Sequence, residues 1–298
     1  MAKTRRRGDR KDGRLIRDID PLHYVTGIIY PNRCDNEAFI SERIDLTEVN
    51  KYLEEKNASG PVYKYNLFQV IVTALSRTIM LRPKLNRFIV NGKFYQRNEV
   101  STSFVVKREF ADDGGEALAF LHAEPGDTLE SVHEKIYRQV SDFRGSDYVD
   151  PSSNAMDIFN RMPMFLSRTL IKGAMLLDKH GKMPKSMIET DPYYSSCVIS
   201  NVGSIKLKSG YHHLTNWGTC SAFCLIGEIK DRPSYAKDGT CTMVPTVDLG
   251  LTIDERLADG YYYSKSVKLL EYLMTHPALL DEPMKTPVDF TPKGDIHD

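Results

Sequence analysis

The sequence predicts an α+β fold, a two-layer sandwich of helices on a mixed sheet. Three observations carry that expectation: one helix with a single apolar stripe, an Asn-Gly hairpin directly after it, and long alternating runs in the last third. Strands and helices mix without strict βαβ alternation, which points to α+β. With 298 residues, 41% hydrophobic and 27% charged, the composition is ordinary for a globular cytosolic protein with a sizeable core.

The first segment is basic. Lys3, Arg5, Arg6, Arg7, Arg10, Lys11, Arg14 and Arg17 face only Asp9 and Asp12. Residues 1–17 are expected to be a flexible, solvated arm, with phosphate binding as the other reading. Ala38 to Asp45 reads as a strand. Asp45 then fits an N-cap with Glu48 three residues on, a capping box opening a helix that ends near Asn57. Ala58-Ser59-Gly60-Pro61 is a turn. A second helix runs from Asn66 to Leu81, with Leu67, Val70, Ile71, Ala74, Leu75 and Ile79 on one stripe, and Arg82-Pro83 stops it.

Arg87 to Val90, Asn91-Gly92 and Lys93 to Gln96 form the strongest hairpin signal, because Asn-Gly supplies the two positive-φ residues of a type I′ turn. Strands follow at Val100 to Lys107 and Ala117 to His122, around a turn at Asp112 to Gly115. Asp127 and Glu130 are expected to cap a helix carrying Leu129, Val132, Ile136 and Val140 on one face. Gly145 to Asn154 is polar and turn-rich, and a helix is expected from about Met156 to Lys179. Past Pro192 come strands at Ser196 to Val202, Ser221 to Ile229 and Met243 to Ile253, the last two joined by a Lys237-Asp238-Gly239 turn. A final helix begins at Ser264, packs Val267, Leu270 and Leu273, and ends at His276-Pro277. No linker forces a boundary, so one domain over 18–284 is expected, with a polar tail over 285–298.

Several function classes lose support at this level. Formal net charge is zero, so no global field steers the chain to nucleic acid, and nucleic acid is not an expected partner. No apolar stretch follows the basic start, so no export signal is expected. Met162 to Leu177 is interrupted by Arg168 and Lys172 and falls short of a membrane span; it reads as an amphipathic or buried helix. The five cysteines are odd in number and scattered, the pattern of reduced thiols in a cytoplasm. Cys220 and Cys224 lie near His212 and His213, but no CxxC pair is present and no metal site is expected.

The chemistry concentrates near residue 255. From Val244 the residues alternate, with Pro245, Val247, Leu249, Leu251 and Ile253 on one face. Period two places Glu255 on that apolar face too, and burying an unpaired carboxylate is expensive. Asp254, Arg256, Asp259 and Gly260 crowd the turn that follows.

The run Asp254-Glu-Arg-Leu-Ala-Asp-Gly260 resembles the DHRxxDG signature of the acyltransferase component of 2-oxo-acid dehydrogenase complexes, shared in its shorter HxxxDG form with chloramphenicol acetyltransferase. Cys197-Val-Ile-Ser200-Asn-Val-Gly203 is similar to that family's TISNLG strand. Leu81-Arg-Pro-Lys-Leu-Asn86 is similar to its PELN helix end, and Thr275-His-Pro-Ala-Leu-Leu280 to its closing ENPxLL. Together the four cover most of residues 35 to 284, in register. The resemblance implies a CoA-dependent acyltransferase fold of the chloramphenicol acetyltransferase type and a homotrimer with sites between subunits. It implies CoA or acyl-CoA as co-substrate, and a small-molecule acyl donor and acceptor. Ser200 matches the serine that stabilises the oxyanion, Asp259 the aspartate that holds the loop, and Gly260 the glycine of the turn. Asn201, Gly260, His212 and His213 are the candidate substrate- or cofactor-contacting residues.

Three departures stand out. Glu255 occupies the position of the catalytic histidine. No lipoyl or subunit-binding module is recognisable ahead of the region, so no lipoyl arm in cis is expected. Tyr211-His-His-Leu-Thr-Asn-Trp217 replaces a proline-containing IINPP stretch. A model glutamate titrates near 4.3, a histidine near 6.5 and a thiol near 8.5, so taking a thiol proton is uphill by about 5.7 kcal/mol for Glu against about 2.7 for His. Burial would close most of that gap. Glu255 therefore reads either as a catalytic base or as a loop-holding carboxylate paired with Arg256 or another cation, with His212 and His213 as spare bases. The two functional readings are an acyltransferase and a catalytically inactive trimeric scaffold or regulatory homologue.

Overall fold

In a computed structural model, residues 5–107, 116–144 and 161–290 are described. The expected turn at 112–115, the stretch 145–154 and residues 156–160 lie outside them. Six strands form the main sheet: β2 (Glu37–Asp45), β5 (Val100–Lys107), β6 (Glu116–Ala123), β7 (Cys197–Asn201), β8 (Ala222–Tyr235) and β9 (Cys241–Asp254). Their order is β2-β9-β8-β7-β5-β6. β7 runs parallel to both its neighbours and the remaining pairs are antiparallel, so the sheet is mixed. A smaller sheet, β1-β4-β3, joins β1 (Gly13–Leu15), β4 (Lys93–Arg97) and β3 (Arg87–Val90). The expected α+β sandwich is the observed architecture.

Helices α2 (Thr47–Ala58), α3 (Leu67–Leu81), α4 (Leu129–Arg144) and α7 (Gly260–Thr275) cover one face of the main sheet. Ile71 and Leu75 of α3 and Leu270 and Leu273 of α7 meet Val247, Leu249 and Leu251 of β9 in the main core. The expected stripe is buried, but so are the positions between: every residue from Gln69 to Ile79 is buried, so α3 is enclosed on all sides. Asn66 and Gln69 make the capping box of α3: each side chain accepts from the other's backbone N–H, at 3.0 and 3.2 Å. The Asn91-Gly92 turn has φ of 53° and 67°, as a type I′ hairpin demands.

Two caps sit one residue later than expected. Leu46, not Asp45, is the N-cap of α2; the Asp45 carboxylate accepts from the backbone and hydroxyl of Thr47, and no box forms with Glu48. In α4, Thr128 and Ser131 cap each other, while Asp127 accepts from Glu124 and pairs with Lys135. The last helix opens at Gly260 rather than Ser264, and β8 and β9 extend farther toward their turn than their apolar runs indicate.

The N-terminal segment corrects a larger expectation. From residue 5 to 17 it is built into the fold, not a solvated arm. β1 pairs with β4, and Arg10 and Asp12 are buried. The Arg10 guanidinium bonds Asp12 at 2.8 Å and Asp178 at 2.7 Å. Burial opposes its charge, but the two carboxylates outweigh burial and raise its pKa. The tail boundary at 285 moves as well. Arg77 of α3, fully buried, holds Glu282 and the Thr286 carbonyl, each at 3.0 Å, and Val288 and Phe290 pack on the core.

Two helices break the rule of apolar-inside. α1 (Pro21–Ile29) exposes Leu22, Ile28 and Ile29, and α5 (Met164–Lys179) exposes Phe165, Ile171 and Leu176. The only buried residue of α5 is Asp178, so the apolar run read as amphipathic or buried is an exposed apolar helix. No helix among the described residues is long and apolar enough to cross a membrane.

Removing Arg10 strands two buried carboxylates, so Arg10→Ala is expected to cost about 3 kcal/mol or more in urea unfolding. A change within about 0.5 kcal/mol, the usual result at a solvated surface position, would mean the segment is an arm after all.

Candidate active site

β9 carries the candidate loop. Its residues Val247, Leu249 and Leu251 face the helices, as the alternation requires, and Thr252 and Asp254 face the opposite way. The alternation stops at Asp254. A 3-10 turn, Glu255–Leu257, begins there, because the Asp254 carboxylate bends the chain onto itself. It accepts from the Arg256 backbone at 3.3 Å, from Nε at 2.7 Å and from Nη2 at 2.6 Å. Both side chains are buried, and Arg256 Nη1 donates to the Tyr30 carbonyl at 2.6 Å. Tyr263 donates its hydroxyl to the Asp254 carbonyl at 2.7 Å.

Glu255 is thereby turned outward. It is exposed, its backbone N–H donates to the Asn36 carbonyl at 3.0 Å, and its carboxylate has no ion-pair partner among the described residues. This corrects two expectations: Glu255 does not extend the apolar face, and Arg256 pairs with Asp254 rather than with it. Period two predicts facing only while the strand lasts, and a side chain bonded two residues ahead ends it.

Arg33 is the residue sequence reasoning missed. It is buried, donates to the Thr215 and Gly218 carbonyls at 2.7 and 3.2 Å, and places Nε 3.9 Å from Asp254. Burial pushes its pKa down, and Asp254 opposes that shift. Nothing local in Asn32-Arg33-Cys34 announces a partner more than 200 positions away. Gly218, at φ 68°, lies so close to the Tyr193 carbonyl that a Cβ would sit 2.3 Å from its oxygen. The loop holding Arg33 is therefore tightly constrained.

Asp259 is the N-cap of α7, accepting from Tyr262 N–H at 2.8 Å, and that bond holds its carboxyl below the usual range. Gly260 follows as the first helical residue, with open space where a Cβ would be.

Ser200 lies in β7, half-buried, and its hydroxyl has no hydrogen-bond partner among the described residues. Asn201 caps the next turn by accepting from Ser204 at 3.3 Å. That turn crosses β8 where the register shifts between Ile226 and Ile229. A Cβ on Gly203 would sit 2.2 Å from the Gly227 carbonyl oxygen, and one on Gly250 1.7 Å from that of Gly210. Only glycines allow the two layers to approach this closely.

The segment after the turn lies over the face opposite the helices. Tyr211 meets Phe39 at 5.0 Å, and His212 stacks on Phe223 at 4.1 Å and 11°. Val198 pairs with Phe223 and Ser200 with Leu225, so Ser200 and the ring beneath His212 share that face. His212 Nδ1 lies 2.8 Å from the His213 carbonyl; the tautomer that donates there leaves Nε2 as the ring's acceptor. His213 is exposed and stacks on His212.

The same registers separate Ser200 from Glu255. Ser200 pairs with Leu225, and Leu225 with Gly250, two strands away and five positions before Glu255. That is roughly 16 Å along the strands and ~10 Å across the sheet. The structure places Ser200 and Asn201 at the end of β7, His212 over Phe223 on the face Ser200 shares, and Glu255, Asp259 and Gly260 beyond the end of β9. The cavity between α3, α7 and the sheet, about 50 Å³ and lined by Leu75, Ile79, Leu251 and Val267, is apolar and serves none of them. The five cysteines are unpaired; burial raises the Cys224 thiol to about 12. Among the described residues no cluster of His, Cys, Asp and Glu is arranged to hold a metal.

No family model matches the sequence, and no curated protein matches it. Solved structures do match in fold. A probable dihydrolipoamide acetyltransferase from Listeria monocytogenes superposes with a TM-score of 0.58 at 14% identity, over 87% of this chain and 93% of that one. The dihydrolipoamide acetyltransferase of Azotobacter vinelandii gives 0.58 at 13%, over 88% and 93%. A serine, a histidine and an asparagine have been investigated for their role in that enzyme's catalytic mechanism. A chloramphenicol acetyltransferase gives 0.57 at 11%, over 88% and 99%. The fold is that of the chloramphenicol acetyltransferase-like acyltransferases.

Because Asp254 is buried and Glu255 is not, the two should respond oppositely to neutralisation. Asp254→Asn is expected to lose about 3 kcal/mol or more of stability, and Glu255→Gln less than about 0.5, by urea unfolding. Equal losses would mean that Glu255 holds the loop.

Proposed function

We propose that this protein transfers an acyl group between CoA and a small acceptor at a site formed by two subunits, Glu255 coming from one and Ser200 from the other. The observation that carries the reading is the separation of these residues. Ser200 sits in β7 and Glu255 on the turn after β9, each with its functional group unpartnered among the described residues, yet one chain keeps them well beyond hydrogen-bond reach. A second copy can supply the missing half, as the resemblance to trimeric acyltransferases implies.

In this reading the Glu255 carboxylate accepts the proton of the acceptor's thiol or hydroxyl. The acceptor attacks the thioester carbonyl, and the negative charge moves to the carbonyl oxygen, where the Ser200 hydroxyl donates a hydrogen bond. Collapse expels the CoA thiolate, which takes the proton back from Glu255. Asp254 and Arg256 position the base, and Asp259 fixes the helix start behind it. The subunit contact would also bury Glu255, which a single chain does not do.

One observation favours the second reading, a non-catalytic trimeric homologue. Glu255 is exposed in the single chain, with no ion-pair partner among the described residues to hold its carboxylate in place. The His212 ring, on the face that carries Ser200, is the alternative base.

Thiol release from acetyl-CoA and short-chain acyl-CoAs, with amine, hydroxyl and thiol acceptors, tests the proposal. Turnover is expected to fall on the order of a hundredfold or more in both Glu255→Gln and Ser200→Ala. Mixing the two inactive variants should restore part of it, because hybrid trimers contain one intact shared site. Loss confined to His212→Ala would transfer the base to the histidine. No turnover in wild type, with the trimer intact, would establish the scaffold.

A further inference from the structure

Behind the Glu255 loop lies a larger cleft, about 640 Å³, between α1, the β3–β4 hairpin and α5. Its volume is that of a small-molecule site. Arg33 and Arg256 reach it from the floor, and Lys172 and Lys179 of α5 line the side. The charge there is unbalanced. Arg33 and Arg256 share one carboxylate, Asp254, and the only acid lining the cleft among the described residues, Asp178, is engaged by Arg10. Lys172 and Lys179 are exposed and have no acidic partner among the described residues. Arg33, buried, leaves Nε without a hydrogen-bond partner. An excess of positive charge beside a low-dielectric floor is costly unless an anion neutralises it.

The cleft does not end there. Met175 and Trp217 line both it and an adjoining groove of about 420 Å³, whose other walls are Leu170, Ile171, Ala174 and Met187. That groove is apolar throughout, and several of its side chains are about 40% exposed. Trp217 stands at the seam, its indole N–H given to Asp191. A cationic chamber thus opens past one tryptophan into an apolar channel.

We propose that this continuous cleft binds an amphiphile with an anionic head and a single alkyl or acyl tail. The head sits among Lys172, Lys179 and the Arg33–Arg256 floor, and the tail lies past Trp217 along α5. Charge complementarity selects the head, and the apolar groove selects the tail. A carboxylate and a phosphate monoester share the required chemistry. The site is separate from the Ser200 face, does not depend on acyl transfer, and is read by binding alone.

Trp217 is the only tryptophan in the chain, so its emission reports the seam directly. Dodecanoate and dodecyl phosphate, each kept below its micelle concentration, would be titrated into the full-length protein. Acetate, inorganic phosphate and the neutral dodecyl maltoside serve as controls. A saturable blue shift is expected with one or both anionic amphiphiles and with none of the controls; the tighter of the two names the head. The Lys172→Glu/Lys179→Glu double variant should raise the half-saturation concentration at least tenfold while leaving the unfolding midpoint unchanged. The proposal is overturned if there is no saturable response, if dodecyl maltoside binds equally well, or if the charge reversal has no effect. It is also overturned if emission changes only with anionic vesicles, which would assign α1 and α5 to a membrane surface. Protection of Trp217 by self-association alone, seen by sedimentation without amphiphile, would assign the groove to a second copy of the chain.

Discussion

The buried carboxylate of Asp254 is the constraint on which the candidate site depends. Two guanidiniums converge on it, one from the turn it begins and one from a loop more than 200 residues earlier in the chain. Because it accepts from the backbone of Arg256 as well, it ends β9, and ending β9 there decides which way residue 255 points. Through Arg33 the same carboxylate is tied to the carbonyls of Thr215 and Gly218, and so to the segment that covers the sheet face bearing Ser200. Removing one member of such a set leaves the others buried and uncompensated, which is why the cost far exceeds that of a surface pair.

A second network extends the logic to the amino terminus. Arg97 donates to the Tyr194 carbonyl and the Thr219 hydroxyl, Thr219 donates to Asp12, and Asp12 pairs with Arg10, which also holds Asp178. The small sheet, α5 and the segment before β8 are thereby joined by polar contacts rather than by a shared apolar core. The helix-covered face of the main sheet is held in the opposite way, by a continuous set of aliphatic side chains. The opposite face carries only a small apolar cluster, Val198, Leu214, Cys220 and Phe223, so packing dominates one face and polar wiring the other.

That difference explains what the sequence revealed. The packed face was legible because periodicity records it: the stripe from Val70 to Ile79, the alternation from Val247 to Leu251 and the Asn91-Gly92 turn each carry their own local rule. The wired face was not. Nothing near Arg10 indicates that it is buried against Asp178, and a basic run at a terminus ordinarily means solvent. Glu255 failed for a related reason. The alternation that predicts its burial is correct up to Asp254, and the bond that breaks it joins side chain to side chain across two residues. Ser200, Gly203 and Asp259 were within reach of motif resemblance, whereas the close crossing at Gly250 and the burial of Arg33 carried no local signal at all.

The Arg10–Asp178 bond also sets an order of events during synthesis. Its partners are 168 residues apart, so at ~5–20 residues per second the guanidinium leaves the ribosome roughly 10 to 30 seconds before its carboxylate exists. Until then Arg10 has only its near neighbour Asp12 to neutralise it, and the pair has little reason to leave water. The hairpin formed by β3 and β4 is made partway through that interval, and its β1 edge waits for the remainder of it. The segment around Arg10 is thus made well before it can be fixed, and it works as a clasp that closes only once α5 exists.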